Sequence, residues 1–123
     1  MKLVYIAGPF RADTAWQIEC NVRKAEELSL MVWRLGAACI CPHTNTRFFD
    51  GAAPDEVWLD GYIEILKRCD AVLLVGGSEW KSSRGTRYEI NKAEELGLPV
   101  FTEIAFLADW LAVRKRIEGK ANG

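Results

Sequence analysis

Cys69-Asp70-Ala71-Val72-Leu73-Leu74-Val75-Gly76-Gly77-Ser78-Glu79-Trp80-Lys81-Ser82-Ser83-Arg84-Gly85-Thr86 is the stretch that decides the fold. Ala71 to Val75 is a short run without a polar residue, which suits a strand buried on both faces of a parallel sheet. Gly76 and Gly77 free the backbone to turn. Ser82, Ser83, Arg84, Gly85 and Thr86 stand where a helix should begin. A helix N-terminus presents unpaired N–H groups and the positive end of its dipole. Hydroxyls, a guanidinium and a glycine at that place favour a phosphate or another anion.

The helix that follows carries Glu89. At about 100° per residue, Ile90, Ala93 and Leu96 define its apolar face, and Glu89 falls near the centre of that face. A carboxylate on a packing side is costly without a partner or a task. Two readings of it stay open on local evidence. Thr86-Arg87-Tyr88-Glu89 fits a Thr-x-x-Glu capping box. Alternatively, Glu89 points into a site.

Working outward, strand and helix alternate four times. Leu3 to Ala7 is the first strand, stopped by Gly8-Pro9. Asp13 or Thr14, the latter in a Thr14-Ala15-Trp16-Gln17 capping-box match, caps a long helix whose apolar line is Ile18, Val22, Ala25, Leu28, Val32 and Leu35, ended by Gly36. Ala37 to Cys41 is the second strand. A polar loop over residues 42–54 is long for such an architecture, and long loops tend to carry function. Asp55 caps a second helix running to Arg68, with Trp58, Tyr62, Ile65 and Leu66 on its apolar side. Pro99 to Thr102 is the fourth strand, and residues 103–117 form the last helix. Residues 119–123 are expected to fray.

This alternation predicts one α/β domain over residues 1–118. The expected form is a three-layer, Rossmann- or flavodoxin-like sandwich with a parallel sheet of about four or five strands. Right-handed crossovers favour the strand order 2-1-3-4. In that order the chain reverses between strands one and three, and ligands sit beyond the strand ends at such a point. The loops meeting there are Gly8-Pro9-Phe10-Arg11 and the serine-rich loop ending at Gly85.

Composition excludes several classes. Half of the 123 residues are apolar and 27% are charged, ordinary for a globular domain. The net charge of −1 provides no field for nucleic acid or an acidic membrane. No apolar run is long enough to span a bilayer, and the start enters a strand directly rather than a signal peptide. The four cysteines (Cys20, Cys39, Cys41 and Cys69) follow no disulfide-framework spacing, which suits free thiols in the cytoplasm. Cys39, Cys41 and His43 alternate along the chain. A fourth metal ligand is not evident, so no metal is expected, and no cofactor is called for. His43 follows the second strand at the ligand end, where it serves either the ligand or a loop hydrogen bond. Trp80 can stack on a nucleobase, plug its loop or meet a second subunit. Asp70 orders backbone at the start of the third strand. Five tryptophans in so short a chain leave some exposed, which predicts a homodimer or higher homo-oligomer.

Taken together, Tyr5-Ile6-Ala7-Gly8, Cys69-Asp70-Ala71-Val72 and Ser83-x-Gly85-x-x-x-Glu89 resemble the nucleoside 2-deoxyribosyltransferase superfamily. The resemblance covers residues 3–101 and is nearest to short bacterial and phage members of unassigned activity. It implies a small-molecule nucleoside or nucleotide ligand, Glu89 as a nucleophile toward the anomeric carbon, and Tyr5 beside it. Ser83 stands where the related nucleoside-monophosphate N-glycosidases hold a 5′-phosphate, and Arg11 where they also carry an arginine. Gly8, Pro9, Asp70, Trp80, Ser82, Arg84 and Gly85 join them as candidate ligand contacts. Without the resemblance, Tyr5 also reads as a strand aromatic packed on the core. One departure stands out. Those enzymes place a carboxylate on the second helix, eight residues before the aspartate that opens strand three, and this chain has Tyr62. Two functions follow: an enzyme acting on the N-glycosidic bond, favoured by Glu89, or a nucleotide-binding module without turnover, favoured by Tyr62.

Overall fold

The computed structural model describes residues 1–122; Gly123 lies outside the described residues. Four parallel strands, β1 (Leu3–Ala7), β2 (Ala38–Ile40), β3 (Ala71–Leu74) and β4 (Val100–Phe101), lie in the order β2-β1-β3-β4. This is the expected α/β architecture. Tyr5 sits level with Ile40 on one side and Val72 on the other.

Side-chain alternation along β1 and β3 divides the core into two layers. Val4, Ile6, Ala71 and Leu73 face α1 (Ala15–Arg34) and α5 (Ile104–Asn122), where Ala25, Val32 and Leu107 are buried. Tyr5, Ala7, Val72 and Leu74 face α3 (Asp55–Leu66) and α4 (Arg84–Glu95), meeting Tyr62, Ile63, Leu66, Ile90 and Ala93. Tyr5 is therefore directed toward the helix that carries Glu89. At the end of β1, Gly8 passes so close to β3 that an added Cβ would lie 2.6 Å from a methyl of Val75.

Thr14 caps α1 by accepting from the Gln17 N–H, as its sequence indicates. Gly36 (φ +87°) and Gly97 (φ +74°) follow the ends of α1 and α4 in the left-handed region that glycine tolerates.

Three local expectations change. The segment at 42–54 contains a short helix, α2 (Pro42–Asn45), and a 3₁₀ turn over Arg47–Phe49. Pro42 occupies the first helical position, where its missing N–H costs nothing. Pro54, rather than Asp55, is the cap position of α3, and that helix ends at Leu66. Helix α5 runs past Ile117, its expected end, to Asn122; Glu118 pairs with Lys2 at 3.1 Å. Among the described residues, no helix is long and apolar enough to cross a membrane.

Candidate active site

The segments after β1, β2 and β3 converge on one open cavity of about 1210 Å³ at the carboxyl ends of the strands. Gly8, Pro9 and Arg11 line it from the first segment, and Pro42, His43 and Thr46 from the second. Ser82, Ser83, Arg84, Gly85 and Glu89 line it from the third, while Trp58 and Tyr62 close the α3 side.

Ser83 is the N-cap of α4. Its hydroxyl accepts from the Thr86 N–H at 3.3 Å and lies 2.8 Å from the Thr86 hydroxyl. Thr86 is buried within the first turn, so it is not the cap that Thr86-x-x-Glu89 suggested. Glu89 lies more than a turn into the helix and meets no capping N–H. Instead the Tyr5 hydroxyl, from the centre of the sheet, donates to Glu89 Oε2. The capping-box reading of Glu89 fails because the helix starts three residues earlier than that box requires.

Burial raises the Glu89 pKa to about 7, partly offset by the Tyr5 hydrogen bond. The sequence reading expected the helix N-terminus and Arg84 to favour ionisation. The dipole acts mainly within the first turn, and Glu89 lies beyond it, so loss of water dominates. Burial and the Glu89 charge push the Tyr5 phenol far up, which keeps it a donor. The Tyr62 ring stands edge-on to Tyr5 with centroids 6.5 Å apart. The Tyr62 hydroxyl accepts from Asn45 Nδ2 at 3.0 Å, lies 2.8 Å from Thr46 Oγ1 and reaches the Pro42 carbonyl at 3.4 Å. Asn45 and Thr46 were not singled out in the sequence; only their place in the long polar loop hinted at them.

His43 is buried, with Nε2 3.0 Å from the Pro9 carbonyl oxygen, and burial lowers its pKa. Nε2 is therefore the donor and Nδ1 holds a lone pair; Nδ1 and the Trp58 indole N–H find no partner among the described residues. Arg11 spans the mouth, donating to Asp50 at 2.9 Å and Asp55 at 2.6 Å. Neither aspartate was expected there, since acidic loop residues carry no distinguishing spacing.

Two candidates fall away from the cavity. Asp70 lies at the opposite end of the sheet, accepting from the Leu3 N–H at 2.8 Å, because it precedes β3 whereas ligand segments follow the strands. Trp80, in a 3₁₀ turn over Glu79–Ser82, is partly buried against the α3–α4 layer of the core. Among the described residues, no three His, Cys, Asp or Glu side chains are grouped to hold a metal ion. His43 leaves the Cys39–Cys41 alternation because α2 begins at Pro42.

The parallel 2-1-3-4 sheet with helices on both faces is a deoxyribosyltransferase-like α/β fold, and it places a Tyr–Glu pair beneath a serine-capped helix. The fold is similar to that of a 2-deoxyribosyltransferase from the psychrotolerant bacterium Bacillus psychrosaccharolyticus. The TM-score is 0.57 at 22% identity, covering 80% of this chain and 69% of that one. At that identity the likeness is one of fold. The chain belongs to the family described as Domain of unknown function (DUF7768), which it matches over residues 2–103. No match to a curated protein was found.

Proposed function

We propose that this protein cleaves or transfers the N-glycosidic bond of a nucleoside or nucleoside 5′-monophosphate. The observation that carries this reading is the hydrogen bond from the buried Tyr5 to Glu89, which lines the cavity. A carboxylate held on the packing face of a helix, against an aromatic hydroxyl, is costly to stability and suited to chemistry.

In this mechanism the ionised Glu89 attacks the anomeric carbon as an oxocarbenium-like state develops. Tyr5 orients the carboxylate through its hydroxyl. The electron pair of the broken C–N bond leaves with the base. Water or a second base then attacks the same carbon and frees Glu89. The Ser82–Gly85 segment, with the N-terminus of α4, is the proposed seat of a 5′-phosphate. Arg11 joins that seat only by exchanging Asp50 and Asp55 for the ligand. The active form is proposed to be a homodimer, with exposed aromatics such as Trp16, Trp33 and Phe106 available for contact.

A second reading, nucleotide binding without turnover, is favoured by Tyr62. Its hydroxyl is held by Asn45 and Thr46 at the place where catalysing relatives are expected to carry a carboxylate. Incubation with a panel of nucleosides and their 5′-monophosphates, following free base, separates the two. Base release that disappears in Glu89→Gln supports the enzyme. Binding of a nucleotide with no release supports the module.

A further inference from the structure

An N-glycosidic bond breaks easily only if the departing base can accept the bonding electron pair. A neutral purine or pyrimidine leaves as an anion unless a proton reaches it. Such a proton comes from a positioned acid, whose contribution is typically about 10²–10⁴-fold. The candidate acids deep in the cavity are otherwise engaged, and the free carboxylates stand at its rim. Asp50 and Asp55 accept from the Arg11 guanidinium at 2.9 and 2.6 Å. His43 donates its Nε2 proton to the Pro9 carbonyl and offers only a lone pair at Nδ1. Its pKa is lowered by burial, so it stays neutral. The Tyr62 hydroxyl is held among Asn45, Thr46 and Pro42. Glu56 and Glu79 are exposed residues on the rim.

The same walls are suited to a positive ring. Trp58, tilted against Phe49 at 5.9 Å, Tyr62, and Phe10, edge-on to His43 at 6.3 Å, present π-systems to the cavity. Cations are attracted to the faces of such rings. Toward α3, Arg11 stands against Asp50, Asp55 and Glu56, and the other cation there, Arg47, is paired with Glu19, so that side carries more carboxylates than cations.

We infer that the preferred substrates are N-glycosides whose heterocycle is already cationic, a pyridinium or an N7-alkylated purine, so that the base departs without an acid. This rests on the N-glycosidic reading of the cavity. The balance is complete without a proton donor. Glu89 forms the bond to the anomeric carbon, and the C–N electron pair neutralises the ring cation. A neutral heterocycle leaves. Water then attacks the glycosyl ester, its proton passing to solvent, and Glu89 is restored as a carboxylate.

The test compares the wild-type protein on nicotinamide riboside and 7-methylguanosine with guanosine and uridine. Each is supplied as ribo- and 2′-deoxyribonucleoside, free and as the 5′-monophosphate. Uncatalysed release and release by Glu89→Gln are subtracted. The expected result is a kcat/KM at least about 100-fold higher for the cationic members, the share a missing acid accounts for. Neutral members cleaved as fast or faster overturn this inference and leave the N-glycosidic reading standing. No Glu89-dependent release from any member overturns both.

Discussion

The Tyr5 hydroxyl and the Glu89 carboxylate, 84 positions apart in the chain, meet in a hydrogen bond at the carboxyl end of the sheet. Tyr5 lies on the central strand β1 and is fully buried. Glu89 lies on α4, on the face that packs over that strand. The pair forms only when sheet order and helix packing are both in place.

Glu89→Gln keeps the shape of the side chain and removes its charge. Base release is expected to fall by about 10³-fold or more, with nucleotide binding retained. Tyr5→Phe is expected to cost less, about 10–100-fold, because it removes an orienting partner and not the nucleophile. Single-turnover assays beside ligand-induced melting shifts check both. Release at the wild-type rate from Glu89→Gln would remove the catalytic assignment.

Stability should fall as pH rises toward neutrality. Well below the ordinary carboxylate range, Glu89 is protonated in both states and burial carries no charge penalty. As pH rises, the unfolded chain releases the proton near 4.5, whereas the folded protein holds it to about 7. The loss between those values is about 3 kcal/mol at most and levels off above them. Glu89→Gln should abolish this slope and melt higher than the wild type at pH 8. Turnover should rise over the same interval, as the nucleophile ionises. Denaturant titrations from pH 4 to 9 measure the slope.

Arg84→Ala tests the anion seat without touching the cap. Phosphate or a nucleoside monophosphate should raise the wild-type melting temperature, and Arg84→Ala should shrink that rise with little change in the baseline. Ser83→Ala should shrink it too and also lower the baseline by about 1 kcal/mol, because the Thr86 N–H loses its acceptor. An equal ligand shift in all three proteins would exclude the seat.

Gly8→Ala should destabilise by about 1–3 kcal/mol, since its methyl would press on Val75 at 2.6 Å, where β1 and β3 approach. Chemical denaturation reads this directly. Unchanged stability would mean that β3 yields at no cost.

Light scattering at high concentration should return twice the monomer mass. Trp16 and Phe106, 71% and 58% exposed, are the positions at which charged substitutions should disturb it. A monomer at every concentration would exclude the homodimer.

The sequence by itself determined the layers and the strand order, and it singled out Tyr5 and Glu89. Local patterning suffices for this: Ala71 to Leu74 has no polar residue and is buried throughout, and Gly36 and Gly97 end helices where the periodicity stops. Glu89 was legible because a carboxylate on an apolar stripe contradicts its surroundings. Only the tertiary structure decided what Glu89 touches, since its cap alternative turned on a helix start shifted by three residues. Likewise, only folding joins Arg11 to Asp50 and Asp55 and sets Tyr62 against Asn45 and Thr46. Such contacts between segments distant along the chain carry no periodic signal; they arise from where the backbone brings side chains of opposite charge or complementary hydrogen-bonding groups together.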